Sequence, residues 1–148
     1  MRHRRPRLTR SADFDRVYRR GRSAASRSFV VYAFSVGSDE SAGAEHAGRA
    51  RLGVSVGRRV GGAVERNSVK RTLREAFWSM ESNLPDDHDF VVVARSGASD
   101  VVRRDGLEGV RRELAELLGR LGWSDTGVEG AGGPAEEAEE AVPGGKQE

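Results

Sequence analysis

Two stretches of this chain are apolar at almost every position, and they constrain the fold most. Ser28-Phe29-Val30-Val31-Tyr32-Ala33-Phe34-Ser35-Val36 is rich in β-branched and aromatic residues, as a strand requires. In extended backbone Phe29, Val31 and Ala33 fall on one face, and Val30, Tyr32 and Phe34 on the other. Neither face is polar, so a sheet built on this strand needs cover on both sides. Asp89-Phe90-Val91-Val92-Val93-Ala94-Arg95 is nearly continuous in the same way and reads as a strand from the middle of a sheet.

The cover has to come from helices, and three segments have the spacing. Phe14, Val17 and Tyr18 recur at i, i+3 and i+4, with Ser11 or Thr9 as candidate cap and Gly21 closing the segment. Leu107, Val110, Leu114, Leu117, Leu118 and Leu121 mark a final helix ending near Trp123. Between them, Val69, Leu73, Ala76, Phe77 and Met80 share one side of a central helix. Arg51-Leu52-Gly53-Val54-Ser55-Val56-Gly57 alternates and is expected to pair antiparallel with the first strand. The order is α-β-β-α-β-α, an α+β fold with a small mixed sheet and helices packed on it. The general rule for such crossovers predicts a right-handed connection through the central helix.

Length and charge divide the chain. Its 148 residues suit one domain, expected over 1–123 with a loop at 37–48. From Ser124 onward there are seven acids and one base, in a Gly-, Ala- and Glu-rich segment too polar to bury a core. We expect 124–148 to be a disordered acidic tail. Residues 1–123 hold 24 bases against 16 acids, a net of +8 that the whole-chain value of +2 hides.

The central helix concentrates that charge. Arg66, Lys70, Arg71 and Arg74 spread over roughly 140° of arc beside the apolar side, so all four can reach one extended anionic surface. A solvated charged face is the plain alternative. Only Glu65 and Glu75 flank these cations, too few to neutralise them along the helix. The balance favours a polyanion. Ten Arg in residues 1–30 extend the basic surface, and Phe14, Tyr18 and Phe29 near them offer stacking area for unpaired bases.

Other chemistries fit poorly. The absence of Cys excludes disulfides and thiolate metal sites. No apolar stretch follows the basic start, as a secretory signal would need, and no run is long enough to span a membrane, so the expected compartment is the cytoplasm. Asp86, Asp87 and Asp89 are the best acidic cluster for a nuclease, but a solvated turn accounts for them. His3, His46 and His88 are scattered, and no nucleophile–base pair emerges. Gly61-Gly62 leads into the central helix, yet no Gly-Lys-Ser/Thr follows, so a nucleotide-binding loop is set aside.

Arg66-Asn67-Ser68-Val69-Lys70-Arg71-Thr72-Leu73-Arg74-Glu75, preceded by Val54-Ser55-Val56-Gly57-Arg58-Arg59-Val60-Gly61-Gly62-Ala63-Val64, resembles the signature of the bacterial ribonuclease P protein component. Leu8, Asp13-Phe14, Val17-Tyr18, Gly21 and Phe29 to Tyr32 fit the same pattern, and the resemblance covers roughly 8–120. It implies an accessory subunit with no catalytic residue and no metal ligand of its own. The holoenzyme is an endoribonuclease that removes the 5′ leader of precursor tRNA, and its catalyst is an RNA that holds most of the Mg²⁺. The implied partners are that catalytic RNA and precursor tRNA, with no DNA and no membrane. Arg58, Arg59, Arg66, Asn67, Lys70, Arg71 and Arg74 would contact the catalytic RNA. Phe14, Tyr18, Phe29 and Val31 would line a cleft for the leader. The implied sandwich, shared with a ribosomal-protein domain, has a left-handed crossover, against the general rule. Ser68 departs from the motif, which usually has Arg there; Arg59 or Arg71 is the candidate substitute. The same scaffold serves general RNA-binding or ribosome-associated chaperone modules, which is the alternative reading.

Overall fold

The computed structural model describes residues 7–36 and 50–123. The expectations for the first six residues, the 37–48 loop and the acidic tail lie outside the described residues, as do His3 and His46.

Seven elements follow in order: α1 (Ser11–Arg20), β1 (Arg22–Ala25), β2 (Phe29–Ser35), β3 (Arg51–Val56), α2 (Ala63–Trp78), β4 (His88–Ala94) and α3 (Ala98–Arg120). The sheet runs β1-β2-β4-β3, with β1–β2 and β2–β4 antiparallel and β3–β4 parallel. The two apolar strands are therefore neighbours at the centre. Every residue from Phe29 to Phe34, and every one from Asp89 to Ala94, is buried. Covering both faces is what their composition demanded. α1 covers Val30, Tyr32, Phe34, Val91 and Val93, while α2 and α3 cover Phe29, Val31, Ala33, Phe90 and Val92.

The expected antiparallel pairing of β3 with β2 is corrected. α2 leads out of β3 and brings β4 back beside it, in parallel, so that β4 lies between β2 and β3. Insertion gives β4, buried from Asp89 to Ala94, a partner on each edge. β1 was not foreseen, because Arg22-Ser23-Ala24-Ala25 lacks the branched and aromatic residues that mark strands.

α1 starts without the side-chain cap expected from Ser11 or Thr9; Arg10 occupies that position, and its carbonyl accepts from Asp13 and Phe14. The backbone turns extended at Gly21 (φ −87°, ψ 171°) and ends the helix, and a Cβ there would stand 2.6 Å from the carbonyl oxygens of both Ala33 and Val17. Gly53 does the same service for packing: Phe14 lies where its Cβ would be, at 2.6 Å. α3 begins at Ala98, well before the expected Leu107, and breaks at Gly106 (φ 64°, ψ −152°). Only the turns after that break follow the leucine repeat. Leu107, expected on the apolar face, is exposed beside the break.

Candidate nucleic-acid interface

α2 is the element on which the cations sit. Val69, Leu73, Ala76 and Phe77 are buried under it as the spacing predicts, and Met80 is buried just past its end. Its amino terminus is closed by its own acid, since the Gly62 N–H donates to Glu65 Oε1 at 2.8 Å. Gly61 precedes it at φ 155°, and a Cβ there would meet the Glu65 carboxylate at 2.8 Å. The Gly61 N–H donates to the Arg58 carbonyl at 3.2 Å, so both glycine donors of this turn are engaged internally.

The cations themselves are not engaged. Arg58, Arg59 and Arg71 are exposed, and Arg66, Lys70 and Arg74 are half-buried along the helix. None of the six has a carboxylate partner among the described residues. Arg66 Nε is buried there without a hydrogen-bond acceptor. Asn67 is exposed in the same row. Burial first, and then the charge of Arg7, pull the Arg74 guanidinium below its ordinary pKa. A row of cations fixed to one helix without carboxylate partners raises the local positive potential and can hold an extended anion.

Many of the other arginines differ in kind. Arg16 and Arg10 pair with Asp13, Arg19 with Asp15, Arg103 with Asp100, and Arg111 with Glu108. Arg22 and Arg120 donate to the carbonyls of Leu121 and Ala25 and tie the end of α3 to β1, and Arg95, just past β4, donates to the carbonyl of Ser26 in the turn after β1. Charge counting could not separate these structural guanidiniums from the open ones.

Ser68 is exposed on α2 and lines an opening of about 240 Å³ between α2 and α3, with Glu65, Ser99 and Arg103. The guanidinium across that opening is Arg103 of α3, which the sequence had not singled out.

The four residues expected to line a leader cleft do not stay together. Phe29 and Val31 are fully buried under α2 and α3, on the sheet face opposite α1. Phe14 is on the α1 side but is buried against Gly53. Tyr18 alone of the four is partly exposed. The residues that share its side are Val30 and Tyr32, one position out of step with those expected. The Tyr18 ring stands 5.0 Å from Tyr32 and 6.2 Å from Phe14, edge-on or tilted. Burial raises the Tyr18 hydroxyl well above its ordinary value, with Ser55 pulling weakly the other way. Ser55 is not in bonding geometry: that hydroxyl has no hydrogen-bond partner among the described residues.

The nuclease cluster also disperses. Asp89 is fully buried and bonded to Arg51, whereas Asp86 and Asp87 are exposed in the preceding turn. Among the described residues no three His, Asp or Glu side chains converge as a metal ion would need.

The family model described as Ribonuclease P matches residues 2–122. The ribonuclease P protein component of Brevibacillus brevis is 38% identical over 118 residues, covering 80% of this chain and 84% of the relative. That of Shouchella clausii is 40% identical over 119 residues, covering 76% and 91%. Among solved structures, the RNase P protein of Staphylococcus aureus superposes with a TM-score of 0.62 at 33% identity, covering 78% of this chain and 94% of its own. The Thermotoga maritima RNase P protein gives 0.62 at 31%, covering 76% and 94%. With its cationic helix, its mixed sheet and this match over most of its length, the chain belongs to the ribonuclease P protein family.

Proposed function

We propose that this chain, as the protein subunit of ribonuclease P, grips the catalytic RNA through the open face of α2. Arg58, Arg59, Arg66, Lys70, Arg71 and Arg74 meet the phosphate backbone, and Asn67 supplies a directed hydrogen bond among them. The observation that carries this reading is that these six cations gather on and beside one helix without a carboxylate partner among the described residues, whereas Arg16, Arg19 and Arg103 are each paired with an acid. The precursor tRNA leader crosses the α1 side at Tyr18, whose half-exposed ring offers a stacking surface. Bond breaking belongs to the RNA, and Mg²⁺ is held there. The chain supplies substrate affinity and charge neutralisation. No described helix is long and apolar enough to cross a membrane, and the compartment we propose is the cytoplasm.

Reconstitution with the cognate RNA at low Mg²⁺ tests the proposal. Precursor tRNA cleavage should rise on adding the chain, and precursor should outcompete mature tRNA for the complex. Equal binding of both tRNAs, with no gain in cleavage, would identify a general RNA-binding module instead.

A further inference from the structure

We propose that the opening between the last turns of α2 and the β3 edge takes one nucleotide extruded from the bound RNA, with guanine favoured. The inference rests on the reading above and names what that surface recognises.

Arg71, Arg74, Glu75 and Trp78 recur at i, i+3, i+4 and i+7, so they line one side of α2. They form one wall of an opening of about 660 Å³. Arg7 and Leu52 form the opposite wall, held by a parallel bridge between them and by the Leu8 N–H donating to the Leu52 carbonyl at 2.9 Å. That volume suits a nucleotide and is too small for a duplex.

The lining divides by chemistry. Three guanidiniums, Arg7, Arg71 and Arg74, converge without a carboxylate partner among the described residues. A phosphate placed between them relieves the repulsion that Arg7 imposes on Arg74. The Leu52 and Trp78 side chains, 2% and 8% exposed, make an apolar floor with an indole in it. Such a surface stacks a base, and only an unpaired base has a free face. Glu75 is exposed on the same wall and makes no ion pair among the described residues. A carboxylate only accepts hydrogen bonds. Guanine offers it two adjacent N–H donors on one edge. Adenine and cytosine place an acceptor beside their amino group, and uracil flanks its single N–H with carbonyls.

The test uses the full chain carrying W123F, which leaves Trp78 as its sole indole, with a thermal melt to check that it folds. If it does not, wild type compared with W78F isolates the same signal. Catalytic RNA is titrated while Trp78 emission and RNA retention on filters are followed together. Assembly should quench Trp78 emission as the base covers its exposed edge. W78L should weaken RNA binding roughly ten- to hundredfold while W78F keeps it, as stacking requires. Free 5′-GMP should itself quench Trp78 at lower concentration than 5′-AMP, and E75Q should erase that preference. RNA binding at full affinity with Trp78 unquenched would overturn the pocket and leave the subunit reading intact. Failure of RNA to bind at all would remove both. Saturation by free 5′-GMP, with RNA leaving Trp78 unquenched, would make a free nucleotide the occupant and overturn the proposal.

Discussion

Arg51 and Asp89 stand opposite each other in the parallel register of β3 and β4, and their side chains form a buried two-point pair. Arg51 Nε donates to Oδ1 at 2.9 Å and a terminal nitrogen donates to Oδ2 at 2.8 Å. Asp13 of α1 approaches the same guanidinium at 3.8 Å. One arginine therefore joins both parallel strands and the helix above them. Asp89→Ala removes the two-point partner of a buried guanidinium, and should cost about 3–5 kcal/mol in a denaturant titration. Arg51→Met with Asp89→Leu should recover much of the loss, since a well-packed apolar pair needs no desolvation of charge.

Arg71→Ala should behave differently. Its side chain is exposed and has no ion-pair partner among the described residues, so unfolding free energy should change by less than about 0.5 kcal/mol. Affinity for the catalytic RNA should drop, and the slope of log K against log salt should become shallower by about 1. Arg66→Ala should also weaken assembly. Equilibrium binding at several salt concentrations reads both variants.

Phe29 and Tyr18 should separate fold from leader recognition. Phe29→Ala opens a fully buried site and should destabilise by about 3–5 kcal/mol. Tyr18→Ala should keep a cooperative melt but lose part of the preference for precursor over mature tRNA. Melting curves and a competition assay give the two readouts.

The Tyr18 hydroxyl predicts an alkaline limit. Its proton is held more tightly folded than unfolded, because burial disfavours the phenolate. The folded chain therefore binds more protons above about pH 10, and stability must fall as pH rises beyond that point. Tyr18→Phe should flatten that part of the stability curve; thermal melts between pH 9 and roughly 11.5 would show it.

These results show which features a one-dimensional pattern can carry. α2 was legible in full, because a helix face repeats locally and Val69, Leu73, Ala76 and Phe77 are close in sequence. The covered sheet was legible from β2 and β4 for the same reason. Strand order was not, because no residue of β3 announces that β4 will arrive beside it. The leader side went wrong by one position: alternation gives two faces but does not say which of them α1 will cover. Arg51 and Asp89 are 38 positions apart, so their pairing could not be read from spacing. The first turns of α3 were hidden by Gly106, which resets the repeat.

β3 is the last strand of the sheet, and on its outer side residues 7 and 8 are laid down as a short extra ribbon. Bare strand borders invite a second molecule to add itself, which is how many sheet proteins precipitate. Here the molecule occupies that seat with its own backbone. A chain shortened past Leu8 should accordingly lose solubility before it loses its fold, because the vacated border is open to its neighbours.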